Sequence, residues 1–327
     1  MNDSVSNPVI IDGNSLIVRS IMATALDDLK AGQVWTGGVY GTLTSLASFL
    51  TQPEVRMRAD QIIMFFDAGV PPGRLDCIPN YKAERKEKRK LLDDEDKEKA
   101  FQQLHSARKM LELLGVTCLA YRDREADDCV AAAVRIFAGR GVTPFVISGD
   151  RDVWQTVRMG ARVWYLSKKA WIDAENFEDM AGVSLDHYVL YRALVGDASD
   201  SIAGVFGCGE KRAAALLQEY GDEFEALEPL EQFDKLVNFV ARQKVKRKFE
   251  QALIEDAPRI ADVIRGIDLN DSFGGTRGLC ARMAERKSVD KMGFLRYAKR
   301  HQFNSVLGDP DRYINPFVSV ARRKGNA

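Results

Sequence analysis

Phe145-Val146-Ile147-Ser148-Gly149-Asp150-Arg151-Asp152 decides the fold. Three apolar residues run into a turn, and the turn delivers two carboxylates two positions apart. The same shape stands twice upstream: Val9-Ile10-Ile11 runs directly into Asp12, and Ile62 to Phe66 directly into Asp67. A fourth apolar run, Val116 to Leu119, is followed by Glu125, Asp127 and Asp128 at the start of a helical stretch. Short apolar runs bounded by polar or turn residues mark parallel strands buried on both faces. Between them the spacing predicts helices over about 38–52, 97–114 and 125–138, with Ala107, Met110, Leu111 and Leu114 on one helical face and Cys129, Ala132, Ala133 and Ile136 on another. Strands alternating with helices predict an α/β fold with a parallel sheet flanked by helices. From about Ala193 the strand pattern stops and helices follow, so a boundary is expected near 195, giving regions 1–195 and 196–327.

Charge is balanced at 47 basic and 47 acidic residues, which excludes a uniformly basic nucleic-acid binder but not a locally basic one. The distribution is uneven. Asn80 to Lys90 holds six basic residues and two acidic ones, Asp93 to Glu98 holds five acidic and one basic, and Arg242 to Lys248 is basic at five positions of seven. The five cysteines, at 77, 118, 129, 208 and 280, form no CxxC pair, and their odd number suits free, mostly buried thiols in a reducing compartment. Three scattered histidines do not make a His-rich metal site. No basic stretch precedes an apolar one at the N-terminus. The longest charge-free run, Ala31 to Pro53, is too rich in Gly, Thr, Ser and Gln to span a bilayer. Neither HExxH nor GxSxG occurs, and Gly204 to Lys211 approaches a P-loop only to place Glu210 where its lysine belongs.

Strands of an open parallel sheet present their C-terminal ends along one edge, where ligands bind. Acids following three such strands are therefore aimed at one place. Without cations they would repel one another and be driven neutral. Oxygen ligands with no His or Cys among them favour magnesium or manganese over zinc. Singly, Asp12 or Asp67 is as readily the N-cap of the next helix, and Glu125 with Asp128 a favourable first-turn charge pattern. It is the repetition at successive strand ends that carries the metal reading. Asp197 and Asp200, one helical turn apart, extend the set. After them Gly204, Gly207 and Gly209 precede a helix over Glu210 to Tyr220, an arrangement that exposes backbone N–H groups to phosphate. Lys211 and Arg212 stand in its first turn, where cations oppose the helix dipole and need a reason such as phosphate. Were Asn80 to Arg85 to open a helix, Lys82 and Arg85 would share a face and be unpaired with protein.

These residues resemble the 5′–3′ exonuclease and flap endonuclease family, in its bacterial and bacteriophage branch. The resemblance rests on Ile11-Asp12-Gly13-Asn14-Ser15, Thr36 to Gly41, Phe65-Phe66-Asp67, Tyr81-Lys82-Ala83-Glu84-Arg85, Glu125-Ala126-Asp127-Asp128, Ser148 to Asp152, and Val195 to Asp200, in order along the chain. Beyond about 225 the likeness is looser, with Leu295 to Leu307 similar to the family's final helix. It implies a PIN-like nuclease domain, a helical arch over about 72–105, and a C-terminal helix–three-turn–helix region that grips duplex DNA. It implies that Asp12, Asp67, Glu125, Asp127, Asp150, Asp152, Asp197 and Asp200 hold two or more Mg2+ or Mn2+ ions, with Asp128 a ligand or a partner of one. Lys82 and Arg85 would meet the scissile phosphate, and Tyr81 would stack on a base, although alone it suits the core equally. Arg19 divides evenly between DNA contact and plain surface. Potassium would sit on backbone carbonyls near Val205 and Cys208, a cysteine standing where the family commonly has an aliphatic residue. The acidic run after Lys90 would hinge the arch or regulate threading.

The function so implied is hydrolysis of DNA at 5′ flaps and 5′ ends in replication and repair, by a monomer in the cytoplasm of a bacterial or phage-infected cell. RNA–DNA hybrids stay open as substrates. No polymerase domain follows within the chain, so a free-standing nuclease is expected. A non-catalytic DNA-binding protein on the same fold would be expected to have lost carboxylates, and a PIN-type ribonuclease would lack the helix–three-turn–helix.

Overall fold

A computed structural model describes residues 7–23, 29–91, 93–220, 227–269 and 277–323. β-Branched and aromatic residues build its central sheet, as their preference for a pleated, packed surface requires. The strand Asn7–Asp12 is buried along its whole length and lies between two parallel neighbours, Ala59–Phe66 and Phe145–Ser148. Thr117–Ala120 adds in parallel beyond the first neighbour and Arg162–Tyr165 beyond the second, and Ala170–Ile172 completes six strands. The last two strands do not stand out in the sequence. They are short, and Arg162–Tyr165 alternates half-buried with buried positions, as a strand toward a sheet margin does.

Register places the acids. Ile11 lies opposite both Met64 and Ile147, and Asp12 opposite Phe65. Asp12, the residue after Phe66 and the turn after Ser148 therefore leave the sheet at one edge. On one face Val9, Ile11, Ile62, Met64, Phe145 and Ile147 join a single apolar cluster with side chains of the helices Gly37–Leu50, Asp94–Leu113 and Pro310–Arg322. The alternate residues Ile10, Ile63, Phe65 and Val146 are buried on the other face, where the helix Ala126–Ala138 packs on the strands Asn7–Asp12 and Ala59–Phe66. Its Ala131, Ala132 and Ala133, all fully buried, allow that helix a close approach.

Contacts divide the chain into two units, one of Met1–Gly69, Asp93–Trp171 and Phe273–Ala327, the other of Val70–Leu92 and Ile172–Ser272. A single cut near 195 does not separate them. The reason lies at the C-terminal side: Phe294, Ala298, Val306 and Phe317 are buried in the cluster that covers the sheet, so those helices complete the first unit. The second unit is helical around Phe233, Leu236 and Val240 of Pro229–Arg242 and Ile260, Val263 and Ile264 of Ala257–Ile267. The segment read as an arch contains the helices Pro72–Cys77 and Ala83–Leu91 and the start of Asp94–Leu113. Its acidic run has a local explanation. Asp93 accepts the Asp96 N–H at 2.7 Å as N-cap, and Asp94, Glu95 and Asp96 fill the first turn, where negative charge offsets the helix dipole. No helix among the described residues is long and apolar enough to cross a membrane.

Candidate active site

Asp12 ends its strand and performs both tasks that the sequence leaves open for it. Its Oδ1 accepts the Ser15 N–H at 2.9 Å and so caps the helix Gly13–Ile21. Its Oδ2 accepts the Ser148 hydroxyl at 2.9 Å, and the carboxylate is 6% exposed. Ser148 continues the chain of bonds: its oxygen accepts the Asp150 N–H at 3.0 Å, and Asp150 Oδ1 accepts the Asp152 N–H at 2.9 Å. Ser15 closes the loop by accepting the Gly149 N–H at 2.8 Å. The ends of two neighbouring strands are thus stitched through their acids and two serines.

Asp67 is exposed and does not cap a helix following its own strand. Its Oδ1 accepts the Ala126 N–H at 2.8 Å, at the start of the helix that carries Asp127 and Asp128. Its own N–H donates to Asn14 Oδ1 at 3.0 Å, which ties the second strand end to the first. Asp128, fully buried, accepts the Glu125 N–H at 3.1 Å, and its own N–H donates to Asp127 at 2.7 Å. One carboxylate oxygen from each of Glu125, Asp127 and Asp128 lies within 4.8 Å of the others. Repulsion among anions this close is relieved by a cation between them, and a set made only of hard oxygens fits magnesium or manganese. The neighbouring Cys129 thiol is driven up by burial, then by the Asp128 and Asp127 charges, so it is no thiolate ligand.

In the second unit Asp200 is the hub. It is 4% exposed, and Tyr81, itself buried, donates its hydroxyl to Oδ2 at 3.2 Å. Arg85 Nη2 lies 2.8 Å from Oδ1 and also reaches Ser199 Oγ at 3.0 Å. Lys82 Nζ lies 3.9 Å from Oδ2. The expectation of unpaired cations is therefore corrected: both face a carboxylate more than a hundred residues away in sequence. Lys82 also precedes the helix Ala83–Leu91 rather than belonging to it, with φ at +56 and its N–H on the Asp200 carbonyl at 2.8 Å. Tyr81 is placed as core, its ring 5.5 Å from the buried Arg74 guanidinium. Asp197 pairs with Arg192 at 2.7 Å and accepts the Ser199 N–H at 2.7 Å. Burial pushes its carboxyl up, but the Ser199 hydrogen bonds and the Arg192 guanidinium outweigh that and hold it below the ordinary carboxylate value.

The glycine-rich turn lies in the same unit. A Cβ on Gly204 would stand 2.3 Å from the Val195 carbonyl oxygen, so only glycine permits that approach. Val205 donates its N–H to the Leu194 carbonyl at 2.8 Å, and its carbonyl accepts the Cys208 N–H at 2.9 Å. Gly207 has φ at +73. Gly209 begins the turn into the helix Glu210–Tyr220, whose Ala213 N–H it accepts at 3.0 Å. Lys211 and Arg212 are exposed on its first turn, as the sequence predicts, and Arg212 donates to the Gly207 carbonyl at 2.5 Å. Cys208 is buried and its thiol pushed up to about 11 by that burial. Arg19, in the first unit, is exposed and donates to Ser167 Oγ at 3.0 Å.

Two family models match this chain. Residues 7–182 match the 5′–3′ exonuclease N-terminal, resolvase-like domain, and residues 183–272 the 5′–3′ exonuclease C-terminal SAM fold. The chain belongs to the 5′–3′ exonuclease family. Among the family's curated relatives, DNA polymerase I of Deinococcus radiodurans is 32% identical over 65% of this chain and 21% of the relative. Thermostable DNA polymerase I of Thermus aquaticus is 28% identical over 91% of this chain and 32% of the relative. The chain thus spans about a fifth to a third of the length of these relatives. The bacteriophage T5 5′-exonuclease, solved with bound zinc, shares the fold at a TM-score of 0.66 and 22% identity, over 89% of this chain and 99% of that one. The T5 flap endonuclease, solved in complex with DNA and metal ions, gives 0.63 and 20%, over 96% and 99%. The members of the site that the sequence offers only as neighbours of acids are Asn14, Ser15, Ser148, Arg192 and Ser199. Ser148 carries a readable signal, since a hydroxyl directly after an apolar strand and two residues before an acid has few other partners.

Proposed function

We propose that this chain is a divalent-metal-dependent, structure-specific 5′ nuclease that hydrolyses DNA phosphodiester bonds at 5′ flaps and 5′ ends. The observation that carries the reading is the linked set of carboxylates at the ends of adjacent parallel strands, with Glu125, Asp127 and Asp128 oxygens within 4.8 Å of one another. Asp12, Asp67, Glu125, Asp127, Asp150 and Asp152 would hold Mg2+ or Mn2+ ions, with Asp128 orienting Glu125. The assignment of Asp197 and Asp200 to the same ions rests on the sequence resemblance. Divalent cations so held supply the positive charge that in-line attack of water on a phosphodiester requires.

The chain's own residues do the rest. The Ser148 hydroxyl and the Ser15 N–H fix the two Asp12 oxygens, and the Asp152 N–H fixes one Asp150 oxygen, so the ligand set is oriented before substrate arrives. Lys82 and Arg85, preorganised on Asp200, supply cationic donors to the phosphate in the transition state. The turn 204–209 and the first turn of Glu210–Tyr220 grip the downstream duplex, potassium resting on carbonyls near Val205 and Cys208. The T5 relative's complex with DNA and metal ions supports this reading.

The test is product mapping on an end-labelled 5′-flap DNA with magnesium and then with EDTA, beside an RNA–DNA hybrid, single-stranded RNA and the Asp150→Asn variant. Short 5′ products that need magnesium and vanish in Asp150→Asn, with flap binding retained, are expected. Magnesium-independent products, or preference for single-stranded RNA, would sink the proposal. Sedimentation with and without flap DNA checks the expected monomer.

A further inference from the structure

The basic run Arg242 to Lys248 has no task in the nuclease reading. It connects the helices Pro229–Arg242 and Lys248–Glu255, and Lys244, Val245, Arg247 and Lys248 in it are exposed. The buried ring of Phe249 joins it to the glycine-rich turn. The Arg247 guanidinium lies 4.8 Å from that ring and the Arg212 guanidinium 6.0 Å. A Cβ on Gly207 would stand 3.8 Å from Phe249 Cβ. Arg247 also pairs with Glu219 and Glu250, which holds its guanidinium in place.

On the same glycine-rich turn Phe206 is 82% exposed between Val205 and Cys208, which are 5% and 3% exposed. The Val205 carbonyl accepts the Cys208 N–H at 2.9 Å, and Gly207 holds φ at +73. Those features define a type II turn in which Phe206 is the second residue, aimed away from the body. The backbone below it is pinned. Arg259, paired with Asp256, donates to the Ala203 carbonyl at 2.5 Å and to the Gly204 carbonyl at 2.9 Å. A phenyl ring held out on a fixed turn loses little entropy when a partner takes it, and in water it gains nothing there. The cations around it name the partner. Lys211 and Arg212 are exposed on the helix turn that follows it, and the Arg212 and Arg247 guanidinium groups meet at the Phe249 ring beside Gly207, a charge pattern that fits phosphates better than it fits a protein face.

We propose that Phe206 is a minor-groove wedge: its ring enters a base step of the downstream duplex while the helix Glu210–Tyr220 and the 244–247 connection each hold one backbone. Apolar side chains flanked by Lys and Arg insert into minor grooves in this way and open the step they enter. The proposal rests on the DNA-nuclease reading and assigns to the duplex grip two features that reading does not use.

The test places 2-aminopurine at successive positions of a duplex below a 5′ flap and measures fluorescence and affinity in calcium. The unaltered protein should bind and brighten the probe at one or two adjacent positions. Phe206→Ala should bind about tenfold more weakly, with an unchanged salt slope and no brightening, as loss of one aromatic–base contact predicts. Lys244→Ala should keep the brightening and flatten the salt slope by about one ion. Melting curves should match for both variants, because both side chains are exposed. If Phe206→Ala binds and brightens like the parent, the wedge is wrong while the nuclease reading stands. If the unaltered protein binds no duplex, the nuclease reading falls first and the wedge with it. A dimer without DNA that Phe206→Ala abolishes would give the ring to a second copy of the chain and also overturn the wedge.

Discussion

Ser148→Ala tests the link between the strand ends. The hydroxyl is fully buried, donates to Asp12 Oδ2 at 2.9 Å and accepts the Asp150 N–H at 3.0 Å. Its removal deletes one hydrogen bond to a charged group, about 2 kcal/mol, and orphans one partly buried backbone donor, about 1 kcal/mol more. At about 3 kcal/mol, a unit of this size should melt about 6–12 °C lower. The larger effect is on the ligand. An Asp12 carboxylate without its orienting donor should weaken metal binding about 10–100-fold. The assay is flap cleavage titrated with magnesium, beside thermal melting with and without the ion. Half-saturation should move up strongly while the rate at saturating magnesium recovers most of its parent value. Ser15→Ala is the control: its hydroxyl accepts the Gly149 backbone N–H rather than orienting a carboxylate, so melting should fall with a much smaller change in magnesium dependence. If Ser148→Ala melts lower but keeps the parent half-saturation, the serine is a strand-end staple and Asp12 does not hold the ion.

Lys82→Ala should slow the single-turnover rate about 10²–10³-fold with little change in flap affinity, and Lys82→Arg should restore only part; weaker binding with normal chemistry would make Lys82 a steering charge. Lys211→Ala should flatten the salt dependence of duplex binding by about one ion, and an unchanged slope would leave it a solvated charge. Burial drives the Cys118 thiol up to about 12 and Cys208 to about 11, so both stay protonated at neutral pH. Mass-mapped alkylation of the folded protein should therefore label the half-buried Cys77 and Cys280 well before those two, and early labelling of Cys208 would mean that the glycine-rich turn opens.

The sequence makes the central strands legible because a strand buried on both faces writes itself as an unbroken apolar run. Asp12, Asp67, Asp150 and Asp152 are legible for the same reason, as acids at the ends of those runs. What it hides is long-range partnership. Nothing near Lys82 or Arg85 announces Asp200, and nothing near Asp12 announces that Ser148, far along the chain, will donate to it. The strand Arg162–Tyr165 is hidden because its half-buried positions tolerate charge. The return of Phe294 and Phe317 to the sheet is hidden because an amphipathic helix states only that it has an apolar face, never which surface that face will cover.

That return sets an order of events during synthesis. The Tyr40 and Tyr313 hydroxyls, 273 positions apart, lie 3.2 Å from one another, and Phe317 sits in the same core as the first strand. A ribosome therefore releases the sheet, its acids and the second unit before it releases Pro310–Arg322, the helix that completes the cover of that face. Until then that face is only partly covered, by Gly37–Leu50 and Asp94–Leu113, and the closure that completes it spans 273 positions. Contacts of such separation form late and slowly. The nascent protein meets the cell with its chemistry in place and its cover incomplete, which makes the emerging chain, rather than the folded one, the form most in need of a chaperone.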